Sequence, residues 1–165
     1  MTDGPAGLGQ AARALLDSGS SQYAELSPAE LRDGIVDLVA AQESDYLEYE
    51  MLEIDIALVR TMRLQIADVD GRLIEWLADR PSTARLGVTC RALWQLWSPA
   101  NPHPPIDPAA VRSLIAAAAQ VTIGVNELGA YRAALQFAAD QIDDPRTLAA
   151  VDQELTRLAS ADDLH

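Results

Sequence analysis

The sequence predicts an all-α protein, a long amphipathic central helix packed with shorter helices and closed as an intertwined helical dimer. Three observations lead there. Apolar residues make up 49% of the chain, with alanine and leucine abundant and phenylalanine present once, which favours helix over strand. Apolar positions recur at three- and four-residue steps, and no useful length alternates with period two. Ser27-Pro28, Asp107-Pro108 and Asp144-Pro145 each set a capping side chain before a proline, the usual opening of a helix.

In order along the chain, residues 1–22 read as a flexible, Gly- and Ser-rich N-terminus, and 23–165 as one helical domain. Ser27-Pro28-Ala29-Glu30 is a capping box that starts an acidic helical arm over 23–60. Leu47, Met51, Ile54, Leu58, Met62, Ile66, Val69, Leu73 and Trp76 form one apolar stripe. With a break near Gln42–Asp45, that stripe predicts a helix about 50 Å long. Arg80-Pro81 marks a helix end or kink, because the residue before proline avoids the α region.

A short helix is expected over Gly87–Trp97, carrying Cys90, Leu93, Trp94 and Trp97. Ser98–Asp107, with prolines at 99, 102, 104 and 105, reads as a stiff loop against which the tryptophans pack. Asp107-Pro108 opens a helix whose face is Val111, Leu114, Ala118, Val121, Val125, Leu128 and Leu135. Asp144-Pro145 opens the last helix, over 144–160 and ending near Leu158.

Charge and composition narrow the function classes. The formal charge of −13 repels phosphates, so no nucleic-acid partner is expected. No apolar run is long enough for a bilayer and no basic-apolar leader is present, so the expectation is a cytoplasmic chain with no membrane partner. A single cysteine, Cys90, allows no internal disulfide, and His103 and His165 have no metal-ligand spacing, so no metal is expected. Every basic residue is arginine, which leaves guanidinium groups as the only cationic side chains at neutral pH.

Met62-Arg63-Leu64-Gln65-Ile66-Ala67-Asp68-Val69-Asp70-Gly71-Arg72-Leu73-Ile74-Glu75-Trp76-Leu77-Ala78-Asp79-Arg80 resembles the first-helix signature of the AroQ-type, all-α chorismate mutases. Arg63, Ile66, Val69-Asp70, Leu73-Ile74, Leu77-Ala78 and Arg80 stand in register, and Arg91 follows where the family has a basic residue on the same helix. The resemblance lies mainly in residues 62–80, with Arg91; it marks 61–142 as a chorismate-mutase-like helical core and implies a cofactor-free isomerase. Its substrate would be a small dicarboxylate such as chorismate, rearranged without a nucleophile by holding one conformer and stabilising negative charge. Arg63, Arg80 and Arg91 would be its catalytic, carboxylate-gripping residues, with Asp107, Arg112 and Gln136 (or Gln141) completing substrate binding.

A second reading stays open beside it. Glu25 to Asp55 holds ten acids against Arg32 alone, while Ile56 to Ala100 holds six arginines against four acids. That asymmetry suits a non-catalytic acidic helical adaptor, inhibitor or assembly subunit presenting its arm to a basic protein partner, or a homodimer.

Overall fold

The computed structural model describes residues 27–40, 43, 68–100 and 105–163. Among them are six α-helices and no strand: α1 Pro28–Ala40, α2 Val69–Asp79, α3 Thr83–Leu96, α4 Pro108–Ala118, α5 Val125–Ala139 and α6 Pro145–Asp163. The all-α class is as the sequence predicts.

Helix starts follow the capping chemistry. The Ser27 hydroxyl accepts from the Glu30 amide at 3.1 Å, and the Glu30 carboxylate accepts from the Ser27 amide at 3.0 Å, closing the box at α1. At α4 the Asp107 carboxylate accepts from the Ala109 amide at 2.9 Å. Asp144 sits before α6, which runs on past its expected end at Leu158. The Arg80-Pro81 stop is also observed: α2 ends at Asp79, and Arg80 leaves the helix at φ −148°, ψ 75°.

Three boundaries differ from the sequence expectation. The apolar stripe does not cross Asp68 as one continuous helix. Asp68 is left-handed, at φ 67°, and α2 begins afresh at Val69. A Cβ on Gly71 would lie 2.3 Å from Asp68 Oδ1, so glycine there lets the Asp68 side chain fold against the first turn. The upstream part of the stripe, Leu47 to Ile66, lies outside the described residues. Second, α3 starts at Thr83 rather than Gly87, because the Ser82 hydroxyl accepts from the Arg85 amide at 3.1 Å and caps it there.

The third correction matters most. The face expected to run from Val111 to Leu135 belongs to two helices, and the chain between Ala118 and Val125 is not α-helical. Val125, expected inside, is 87% exposed. Gly124 sets the new start. The Glu127 carboxylate folds back to accept from the Gly124 amide at 3.0 Å, and a Cβ on Gly124 would lie 2.6 Å from that carboxylate.

Helices α2 to α6 close a ring in the spatial order α2, α3, α5, α6, α4, and α1 packs outside it on α2 and α3. Side-chain bonds set the directions. Trp97 at the end of α3 donates from Nε1 to Asp70 at the start of α2 (2.9 Å), so these two are antiparallel. Thr83 donates to the Thr122 carbonyl (3.0 Å), and Gln141 donates to the Trp97 carbonyl (2.6 Å), so α3 and α5 run parallel. The core fills the ring with Leu73, Leu77, Leu93, Trp97, Val111, Leu114, Tyr131, Leu135 and Val151. Such packing of helix stripes supplies most of the stability.

Candidate functional site

The ring has two unlike ends. At one, polar side chains tie helices together. Arg112 Nη1 donates to Asp144 Oδ2 at 2.9 Å and to the Thr147 hydroxyl at 2.5 Å, while Thr147 donates its hydroxyl to the same carboxylate. Thr147's hydroxyl bond is the chief reason that the Asp144 carboxyl lies below the usual carboxylate range, with Arg112 adding to it. The Trp97–Asp70 and Gln141–Trp97 bonds lie at this end too.

At the other end, the linker from Ala119 to Gly124 bounds an open groove of about 750 Å³. Val121, Ile123, Leu128 and Leu158 give it apolar walls, and Arg157 from α6 is the charged side chain on its lining. That volume is in the range of pockets that take small molecules. Residue 124, being glycine, offers no capping side chain of its own, and the Glu127 carboxylate folded back onto the Gly124 amide sets a negative charge at the α5 start beside the groove.

Arg157 is held from within. Its Nε and Nη2 donate to Glu154 at 2.6 and 2.8 Å, and the Tyr131 hydroxyl donates to the same carboxylate at 2.5 Å. Burial pushes the Glu154 carboxyl up, but the bonds from Arg157 and Tyr131 outweigh it and leave it below its ordinary value. Burial, then the bond to Glu154, pushes the Tyr131 phenol up, so it stays a neutral donor. Burial also pushes the Cys90 thiol up, with Glu127 adding to it, and a thiol kept protonated is a poor nucleophile.

The residues expected to form a dicarboxylate site are dispersed. Arg63 lies outside the described residues. Arg80 is exposed at the end of α2, whereas Arg91 is half-buried on α3, so the single helix that the resemblance asks for is replaced by two. Asp107 caps α4 and Arg112 is bonded to Asp144 and Thr147, both at the opposite end of the ring from Arg80. Gln136 is exposed on α5. Asp70, part of the resembling segment, anchors Trp97 instead.

The tryptophans divide as well: Trp97 is buried, and Trp94 is 47% exposed. Arg85 lies 4.4 Å from the Trp76 ring centre and donates to Glu43 and to the Trp76 carbonyl, a clip joining α2 and α3. Among the described residues no cluster of His, Cys, Asp and Glu could hold a metal ion, and no helix is long and apolar enough to cross a membrane.

Sequence reading missed Arg157. Its signal was the pair Glu154-x-x-Arg157 on a helix whose Leu155 and Leu158 turn inward, which reads as an ordinary surface ion pair until Tyr131 is brought onto Glu154. No family model matches this chain, and neither does any curated protein or solved structure.

Proposed function

We propose that this chain is a helical small-molecule-binding domain whose site is the groove between the linker 119–124, the start of α5 and the last turns of α6. One observation carries the reading: a concave apolar surface of about 750 Å³ with a single guanidinium on its lining. Binding pockets combine those features, apolar walls for affinity and one polar group for orientation.

Ligand-observed NMR with uncharged apolar fragments tests this. Hits should shift backbone signals of residues 118–128 and 155–158, and should vanish in Ala119→Trp, which fills the groove from an exposed position. Hits that persist in that variant would move the site elsewhere. Chorismate or a bicyclic transition-state mimic perturbing Arg80 and Arg91 would restore the mutase-like reading in its place.

A second reading has its own observation. Glu30, Asp33 and Asp37 are exposed at i, i+3 and i+7 along α1, and the Asp37 carboxyl is pushed up by burial and by Asp33. Crowded carboxylates on one helix face favour a cationic protein partner. Oligo-arginine should bind in a salt-dependent manner and bind less to Asp33→Asn/Asp37→Asn; equal binding by that double variant removes the role of α1.

A further inference from the structure

We propose that the groove takes an uncharged, largely apolar molecule, and that Glu154, set behind the lining, is the residue that turns charged molecules away. The inference rests on the groove being a ligand site, and names the ligand class and the residue that selects it. Glu154 is only 7% exposed and stands on α6 three residues before Arg157.

The charges around the groove are already matched. Arg157, the charged side chain on the lining, donates from Nε and Nη2 to the two oxygens of Glu154 at 2.6 and 2.8 Å, so the pair carries no net charge. Against the opposing effect of burial, the bonds from Arg157 and Tyr131 hold the Glu154 carboxyl below its ordinary value, which keeps the pair ionised at neutral pH. At the α5 start the Glu127 carboxylate, 3.0 Å from the Gly124 amide, offsets the positive end of the helix. A charge moved from water into an apolar groove loses hydration and needs an opposite charge that is still unmatched. An anion meets a guanidinium that a carboxylate already balances, and a cation meets that guanidinium's like charge. An uncharged molecule incurs neither cost, and its body lies against Val121, Ile123, Leu128 and Leu158. Arg157 Nη1 makes no hydrogen bond among the described residues, which leaves its N–H groups for a neutral oxygen such as that of an amide or alcohol.

The test titrates octanamide, octanoate and octylammonium into the full chain at neutral pH, by calorimetry and by NMR. Octanamide should bind at least about tenfold more tightly than either ion, with shifts at residues 118–128 and 155–158. That order should hold at about 1 M salt, where charges more than about 3 Å apart are screened, because its cause is local and not the overall charge of −13. Glu154→Gln keeps the shape of the side chain and leaves Arg157 unbalanced, so octanoate should gain at least about tenfold relative to octanamide. Arg157→Gln leaves Glu154 unbalanced, so octylammonium should gain in its place, and this variant decides if Glu154→Gln does not fold. If neither folds, the wild-type order and its persistence at high salt decide alone. Octanoate or octylammonium binding as tightly as octanamide, with shifts in the groove, overturns the uncharged ligand and leaves the groove a ligand site. An unchanged acid-to-amide ratio in folded Glu154→Gln overturns the role of Glu154. Absence of binding by all three probes, or shifts elsewhere, overturns the groove itself.

Discussion

The two ends of the helical ring use their polar groups in opposite ways. At the α6-start end, Asp70, Trp97, Arg112, Gln141, Asp144 and Thr147 are spent on one another, bridging α2 to α3, α3 to the end of α5, and α4 to α6. At the linker end the groove walls are apolar, Val125 stands in solvent, and Arg157 bonds only Glu154 among the described residues. Hydrogen bonds that saturate a surface hold helices together and leave little to offer a ligand. An end with spare apolar area and one pre-set cation is poorer in stability and richer in binding capacity, so stability and recognition are separated along the bundle axis.

The strongest way to break this contrast is Trp97→Ala. That side chain is buried, fills the closed end and donates to Asp70, so its removal should cost about 3–5 kcal/mol in urea unfolding. A loss below about 1 kcal/mol would mean that the closed end is not a stabilising region.

Next in size is Tyr131→Phe, which keeps the ring and deletes the hydroxyl bond to Glu154. A bond to a charged acceptor is worth about 1.5–3 kcal/mol, and that loss is expected at pH 7. Because Glu154 also orients Arg157 on the groove lining, binding of apolar fragments in the groove should weaken in the same variant. Stability lost with binding intact would separate the network from the groove.

Acidification sharpens the comparison at lower amplitude. The hydroxyl bond from Thr147 holds the Asp144 carboxyl low in the folded state, and the bonds to Glu154 hold it low against the opposing effect of burial. Groups depressed on folding contribute stability that is present above their unfolded values, roughly 4, and lost as pH falls through the folded ones. Urea midpoints should therefore fall below about pH 4, and less steeply in Thr147→Val, where Asp144 loses its main partner. A midpoint that stays level down to pH 2 would contradict this.

The smallest expected effect is Val125→Ala. With 87% of the residue exposed, the change should stay within about 0.5 kcal/mol of wild type while lowering the affinity of apolar fragments for the groove it lines. A larger destabilisation would show that Val125 is packed in solution, and would close the open end.

Much of this architecture was legible in local chemistry. Ser27 with Glu30, Asp107 before Pro108, Asp144 before Pro145, and Pro81 each act within four residues, so helix starts and one stop could be read directly. The break between α4 and α5 could not. Ala118, Val121, Val125 and Leu128 keep three- and four-residue spacing straight across it, so periodicity continues where the helix does not. Gly124 was the local sign, and its meaning depends on Glu127 folding back. Ser82 was masked by its position after Pro81. The candidate site was less legible than the fold. Arg80 and Arg91 look like one helix face only if the helix passes Pro81, and Arg157 acquires its setting from Tyr131, which lies 23 residues away in sequence from its partner Glu154.

The ring order also constrains how this chain comes off the ribosome. Helix α3 lies against α5, which follows only after α4 has been made, and α4 in turn rests on α6, the last of the described helices. A nascent chain ending at Ala118 has no α5 to lie against α3, and no α6 to cover its side of α4. Apolar surface waiting for a late partner is where aggregation begins during synthesis. For this protein, the stretch of translation between α4 and α6 is the interval in which a chaperone has most to cover.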